Sequence, residues 1–146
     1  RAGTDRRMPG AGRSAVPAGR VTTRLTLPWP PSLNRIWRAV GGKILLSLIA
    51  RNYKRAAAAA LPVGRVPPPL TGRLLVWMTL HPPLKLANAR WDIANREKLM
   101  IDCLTEQRVW LDDSQIDAMV ILRGQPAGAG RVELTIHTLE PGELPL

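Results

Sequence analysis

Two short acidic stretches hold this chain's best means of doing chemistry: Asp92-Ile-Ala-Asn-Arg-Glu-Lys98 and Trp110-Leu-Asp-Asp-Ser-Gln-Ile116. In the second, Asp112 and Asp113 stand side by side. Adjacent carboxylates repel each other, which a solvated loop tolerates and a cation site uses. Carboxylate oxygens suit a hard divalent cation, and a cation held that way polarises a phosphoryl oxygen and activates water. The chain has a formal net charge of +10, yet seven of its 11 acids fall between Asp92 and Asp117. Positive surface to hold a phosphate backbone and carboxylates to hold a metal fit that distribution. The competing structural reading is a solvated helix face, because part of this window has helical character.

The elements must bring the two stretches together. Residues 95–108 read as a helix, with Asn95 as its cap and Met100, Cys103 and Leu104 on one face. About 13 residues at ~1.5 Å each span roughly 20 Å. Residues 109–113, if extended at ~3.3 Å each, return about 16 Å. Asp113 therefore reaches back beside Asp92 if the chain reverses at the helix end. A strand over 24–28 ends at the prolines Pro28, Pro30 and Pro31. A short strand fits within 41–47, and a helix over 47–61 starts at Ser47 and stops at Pro62. A loop covers 63–72, and 73–82 is an apolar run of buried-strand length. Residues 116–124 and the strictly alternating 131–140 are strands, expected to form a C-terminal antiparallel hairpin across the turn Gln-Pro-Ala-Gly-Ala-Gly. The expected fold is α/β (α+β): a single mixed β-sheet with two main helices packed on it.

Composition bounds the function. At 146 residues and 45% hydrophobic content the chain suits one domain with one core. No apolar run approaches a membrane span, and no apolar segment follows the basic start as in a secretory signal. A single cysteine, Cys103, rules out an internal disulfide and a thiolate cluster, so a reducing, cytoplasmic setting is expected. Residues 1–23 form a basic segment rich in Gly, Ala and Pro, expected to be a disordered arm or an added segment. The folded domain is expected over 24–140, with 141–146 as a tail. A basic body and a basic arm point to a polyanion partner. His81 and His137 are too few and scattered for a histidine metal site, and the 124–131 glycines lack the Lys-Ser/Thr of a phosphate loop. With no Phe and one Tyr, the five tryptophans are expected mainly as core fillers, Trp77 and Trp110 above all.

The motifs carry a resemblance. "LPWPPSLNR" (27–35), "DIANREK" (92–98) and "WLDDSQI" (110–116) are similar to three blocks of the RusA family of Holliday junction resolvases. The second resembles that family's D-x-D-N-x-x-K element and the third its W-L-D-D-x-Q element. The resemblance spans about 24–140. It implies a homodimeric, Mg²⁺-dependent nuclease acting on four-way junction DNA, with Mn²⁺ a possible substitute and no small-molecule organic cofactor. It implies that carboxylates at the positions of Asp92, Ala94 and Asp113 bind metal, and that Lys98 assists catalysis near the scissile phosphate. Asp112 is a further candidate ligand. Arg35, Arg38, Lys85, Arg90 and Arg96 lie in or near the matching blocks and are the candidates for phosphate contacts.

One position departs from the pattern: Ala94 stands where the family has its second aspartate. In an extended D-x-D step, residues i and i+2 face the same way, so two carboxylates would face one cation. Alanine removes one of those oxygen ligands, and Mg²⁺ would be held less well. The expectation is a nuclease impaired in cleavage that keeps junction binding. A non-catalytic junction-binding protein and a generic basic RNA-binding domain are the alternatives. Lys98 paired with Asp102 at i+4, and Asp92 placed near a helix start, are the structural readings of the same residues.

Overall fold

The structure, a computed structural model, describes residues 20–62 and 67–143. The expected arm lies outside the described residues as far as residue 19, as does the last part of the expected tail, 144–146. In chain order the elements are β1 (Thr22–Pro28), β2 (Trp37–Val40), β3 (Lys43–Leu46), α1 (Leu48–Ala60), β4 (Arg73–His81), α2 (Glu97–Glu106), β5 (Ile116–Arg123) and β6 (Arg131–Leu139). Short 3₁₀ turns at Leu33–Arg35, Leu84–Leu86, Ile93–Asn95 and Asp113–Gln115 join them.

Four strands make the main mixed sheet, in the order β1-β6-β4-β5. β6 pairs antiparallel with both β1 and β4, and β4 pairs parallel with β5. β5 and β6 run in opposite directions, as a C-terminal hairpin requires, but β4 lies between them. The apolar run of β4 explains the insertion: a strand with few polar groups is best satisfied with a neighbour on each side. The strand expected in 41–47 does not join this sheet. It is β3, paired with β2 in a separate two-stranded ribbon. β1 also begins two residues before the expected start, with Thr22 and Thr23 opposite His137 and Ile136.

One face of the sheet carries Leu27, Leu74, Val76, Met78, Leu80, Val132, Leu134 and Ile136, all buried. Both helices cover it, α1 through Ala50, Tyr53 and Ala57, and α2 through Leu99, Met100, Cys103 and Leu104. The strict alternation of β6 is the reason: Val132, Leu134 and Ile136 turn inward, while Glu133 turns out. The opposite face is not covered by a helix among the described residues. Trp77, expected in the core, points to that face and is 40% exposed. Trp110 is fully buried, as expected.

Ser47 caps α1, its hydroxyl accepting from the Ala50 N–H at 3.1 Å. Tyr53 donates its hydroxyl to the Pro28 carbonyl at 3.0 Å, tying α1 to the end of β1. Burial pushes the Tyr53 phenol and the Cys103 thiol up from their ordinary values, so both stay neutral.

Candidate active site and nucleic-acid face

The third motif is a small machine for presenting Asp113. Trp110 is locked in the core, its indole N–H donating to the Thr105 hydroxyl at 2.7 Å. The chain then turns through Asp113–Gln115 as a capped 3₁₀ turn. Asp112 is the cap: its carboxylate accepts from the Ser114 N–H at 2.8 Å, which holds the carboxyl below the usual range. Gln115 closes the box. Its Oε1 accepts from the N–H groups of Leu111 and Asp112 at 2.8 and 2.9 Å. Its Nε2 donates to the carbonyls of Leu70 and Gly72 at 3.0 and 2.9 Å. The aspartate pair thus divides its work: Asp112 shapes the turn, and Asp113 is left exposed, its carboxylate in no ion pair among the described residues. Asp113 borders a hollow of about 330 Å³ with Ile101, Ile116, Asp117, Ala118 and Met119. Asp117 in that hollow is already engaged, accepting from Arg73 Nε at 2.8 Å.

Asp92 opens the other motif. It is exposed and extended, and leads into the Ile93–Asn95 turn, which contacts both β5 and α2. The Asp113–Gln115 turn contacts α2 as well. Asn95, expected to cap the helix, instead belongs to this turn. Its N–H meets the Asp92 carbonyl and its side-chain amide the Asp92 carboxylate, both at 3.4 Å. α2 begins only at Glu97, without a side-chain cap. The fully extended D-x-D step is not found here, because Ala94 sits inside the 3₁₀ turn.

Lys98 lies on the first turn of α2 and donates to Asp102 at 2.8 Å. That bond raises its pKa, with a smaller attraction from Asp113, so Lys98 stays a cation. The donor set is oxygen only, which suits a hard cation. It is also short: among the described residues no three His, Cys, Asp or Glu side chains gather into a metal cage. Asp92 and Asp113 are exposed carboxylates with no ion pair among the described residues; position 94 offers a methyl group.

Beside this acidic edge lies a basic hollow of about 450 Å³. Arg35, Lys85 and Arg96 line it, along with Trp29, Tyr53 and the prolines Pro30, Pro31 and Pro83. Three of the five expected phosphate-binding residues therefore meet there. Arg38 lies apart on β2, and Arg90 in the exposed link before Trp91. Arg96 donates to the Pro30 carbonyl at 2.8 Å and stands 5.0 Å from the Trp29 ring centre. Burial, then the nearby Arg35, lower its pKa, and its Nε is buried with no protein partner. Like charges crowded around an unsatisfied donor call for an anion.

Sequence reading missed the bracing of Asp92. Trp29 meets Trp91 edge to face at 5.0 Å, and Arg123 lies 3.9 Å over the Trp91 ring. Arg123 also donates to the Trp91 carbonyl at 3.0 Å, fixing the residue next to Asp92. The only sequence signal was a lone arginine at the end of β5.

Known proteins resemble this chain over most of its length. Residues 28–137 match the family model described as endodeoxyribonuclease RusA. The crossover junction endodeoxyribonuclease of Enterobacteria phage 82 is 31% identical over 115 residues, 79% of this chain and 93% of the phage protein. The protein of that name from Escherichia coli K12 matches to the same extent, and that from Shigella sonnei is 30% identical over 115 residues. The matched family and these relatives are endodeoxyribonucleases. The chain belongs to the RusA endodeoxyribonuclease family.

Proposed function

We propose that this chain is a structure-specific endodeoxyribonuclease that binds four-way DNA junctions as a homodimer inside a bacterial cell and cleaves them weakly. The observation that carries the reading is the family relation over 28–137, whose relatives are named for crossover junctions. The basic hollow supports it from the structure. Arg35, Lys85 and Arg96 would hold backbone phosphates, and Arg38 and Arg90 would extend that track.

Asp92 and Asp113 would hold Mg²⁺, or Mn²⁺ in its place, with water completing the shell. The bound ion would supply Lewis acidity at the phosphodiester and at the attacking water. Gln115 and Arg123 keep the two carboxylates' turns in place. Lys98, charged throughout the neutral range, would offset charge developing on the phosphate. Asp112 serves the turn, and its carboxylate is a second-best ligand. Ala94 leaves the donor set one carboxylate short of the family pattern. That feature favours impaired cleavage, and at its limit a second reading: a junction-binding protein without nuclease activity. A twofold dimer would match two symmetric cleavage points by paired nicking.

The test is binding of a four-way junction against a linear duplex of the same sequence in a mobility-shift assay at fixed salt. The junction is expected to bind about tenfold more tightly or better, a difference of about 1.4 kcal/mol. Equal binding to both would overturn the reading.

A further inference from the structure

The β2–β3 ribbon lies outside the main sheet, with Trp37 opposite Leu46, Arg38 opposite Leu45, Ala39 opposite Ile44 and Val40 opposite Lys43. Opposed residues share a face, and faces alternate along the strand. One face therefore carries Trp37, Ala39, Ile44 and Leu46, and the other Arg38, Val40, Lys43 and Leu45. Leu46 packs on the core, but Trp37 is 52% and Ile44 73% exposed. The base of the ribbon is pinned where the Ser47 N–H donates to the Ile36 carbonyl at 2.8 Å. A two-stranded ribbon holds itself together only marginally. Large apolar side chains presented to water on one mark a surface that meets a partner.

Charge selects the partner. From Arg20 to Trp91 the sequence has 12 Lys and Arg and no Asp or Glu. Among the described residues, Arg20, Lys54 and Arg73 of that set find acids elsewhere, and the ribbon's Arg38 and Lys43 do not. Two copies meeting through the ribbon would bring two basic, acid-free regions together. A polyanion is complementary. A thin ribbon with an exposed aromatic ring on one face and unpaired cations on the other can offer a stacking surface to an unstacked base and charge to nearby phosphates. At a branch point the stacked arms end, so base faces become available that a continuous duplex hides.

We propose that Trp37 on the β2–β3 ribbon stacks on a nucleobase at the junction branch point, with Arg38 and Lys43 holding phosphates at the ribbon's other face. This rests on the junction-binding reading above and assigns the preference for branched DNA to one element. Trp37→Leu keeps the apolar bulk and removes the stacking face, whereas Trp37→Tyr keeps a ring. The full chain and both variants are compared, at fixed salt, on a four-way junction with 2-aminopurine at the branch point and on a linear duplex of the same sequence. Trp37→Leu is expected to lose about tenfold on the junction and nothing on the duplex, with Trp37→Tyr close to the parent. The 2-aminopurine fluorescence should change on binding the parent chain and not on binding Trp37→Leu. If the parent itself shows no preference for the junction, the functional reading fails and takes this inference with it. If the parent prefers the junction and Trp37→Leu keeps that preference, this inference alone is overturned. A changed sedimentation mass of free Trp37→Leu would instead make the ribbon a contact between copies, and would also overturn it.

Discussion

Gln115 is the residue that makes the acidic pair useful. One side-chain amide accepts two backbone N–H groups of the Asp112 turn and donates to two carbonyls before β4. It braces the turn that carries Asp113, with none of its side-chain hydrogen bonds going to Asp113 itself. Replacing it with alanine removes four hydrogen bonds at a half-buried site. Gln115→Ala is expected to lower unfolding stability by about 1–3 kcal/mol, read from the urea midpoint at unchanged slope. No loss of stability would show that the turn holds without the clamp. At this scale the sequence was legible where interactions are local. Ser47 as a cap and Lys98 paired with Asp102 are both contacts within four residues. Gln115 was not legible, because its partners Leu70 and Gly72 lie more than 40 residues away. Nor was the displacement of Asn95 from cap to turn, which depends on how the Ile93–Asn95 segment packs on β5.

Among the elements, the β1–β6 seam carries a titratable group with a definite sign. His137 on β6 meets the Thr22 hydroxyl on β1 at 3.0 Å. Burial, then the nearby cations Arg20 and Arg24, hold its pKa below the ordinary 6.5. The unfolded chain therefore takes up a proton at that histidine before the folded chain does. Its contribution to stability is fully present above about 6.5 and is lost as pH falls through the lower folded value. The depressed carboxyls of Asp112, Asp117 and Glu133 act in the same direction at lower pH. The thermal midpoint is expected to fall between pH 7 and 5, and His137→Asn to flatten that part of the profile. A parent profile that is level or rising over this range would contradict the assignment. The six strands and two helices were largely visible as patterns, apart from β2. Its four residues are all exposed, so no alternation of burial marks it. Exposure of Trp77 and insertion of β4 between β5 and β6 were also hidden, since both depend on what lies against a strand rather than on the strand's own residues.

Across the whole molecule, acids and cations are segregated. The acids cluster on and around α2, and the long acid-free stretch before Asp92 supplies the ribbon and, with Arg96, the basic hollow. In the proposed reading, binding and cleavage draw on largely different residues, so a single missing carboxylate would weaken one and spare the other. Ala94→Asp tests this most directly. The parent chain and this variant are compared side by side for affinity to a four-way junction without metal and for nicking of that junction with Mg²⁺. Affinity is expected to stay within about twofold, and the nicking rate to rise on the order of 10- to 100-fold. A parent chain that already cuts as fast as Ala94→Asp, or a variant that binds the junction and gains no cutting, would contradict the claim that position 94 is what limits this nuclease.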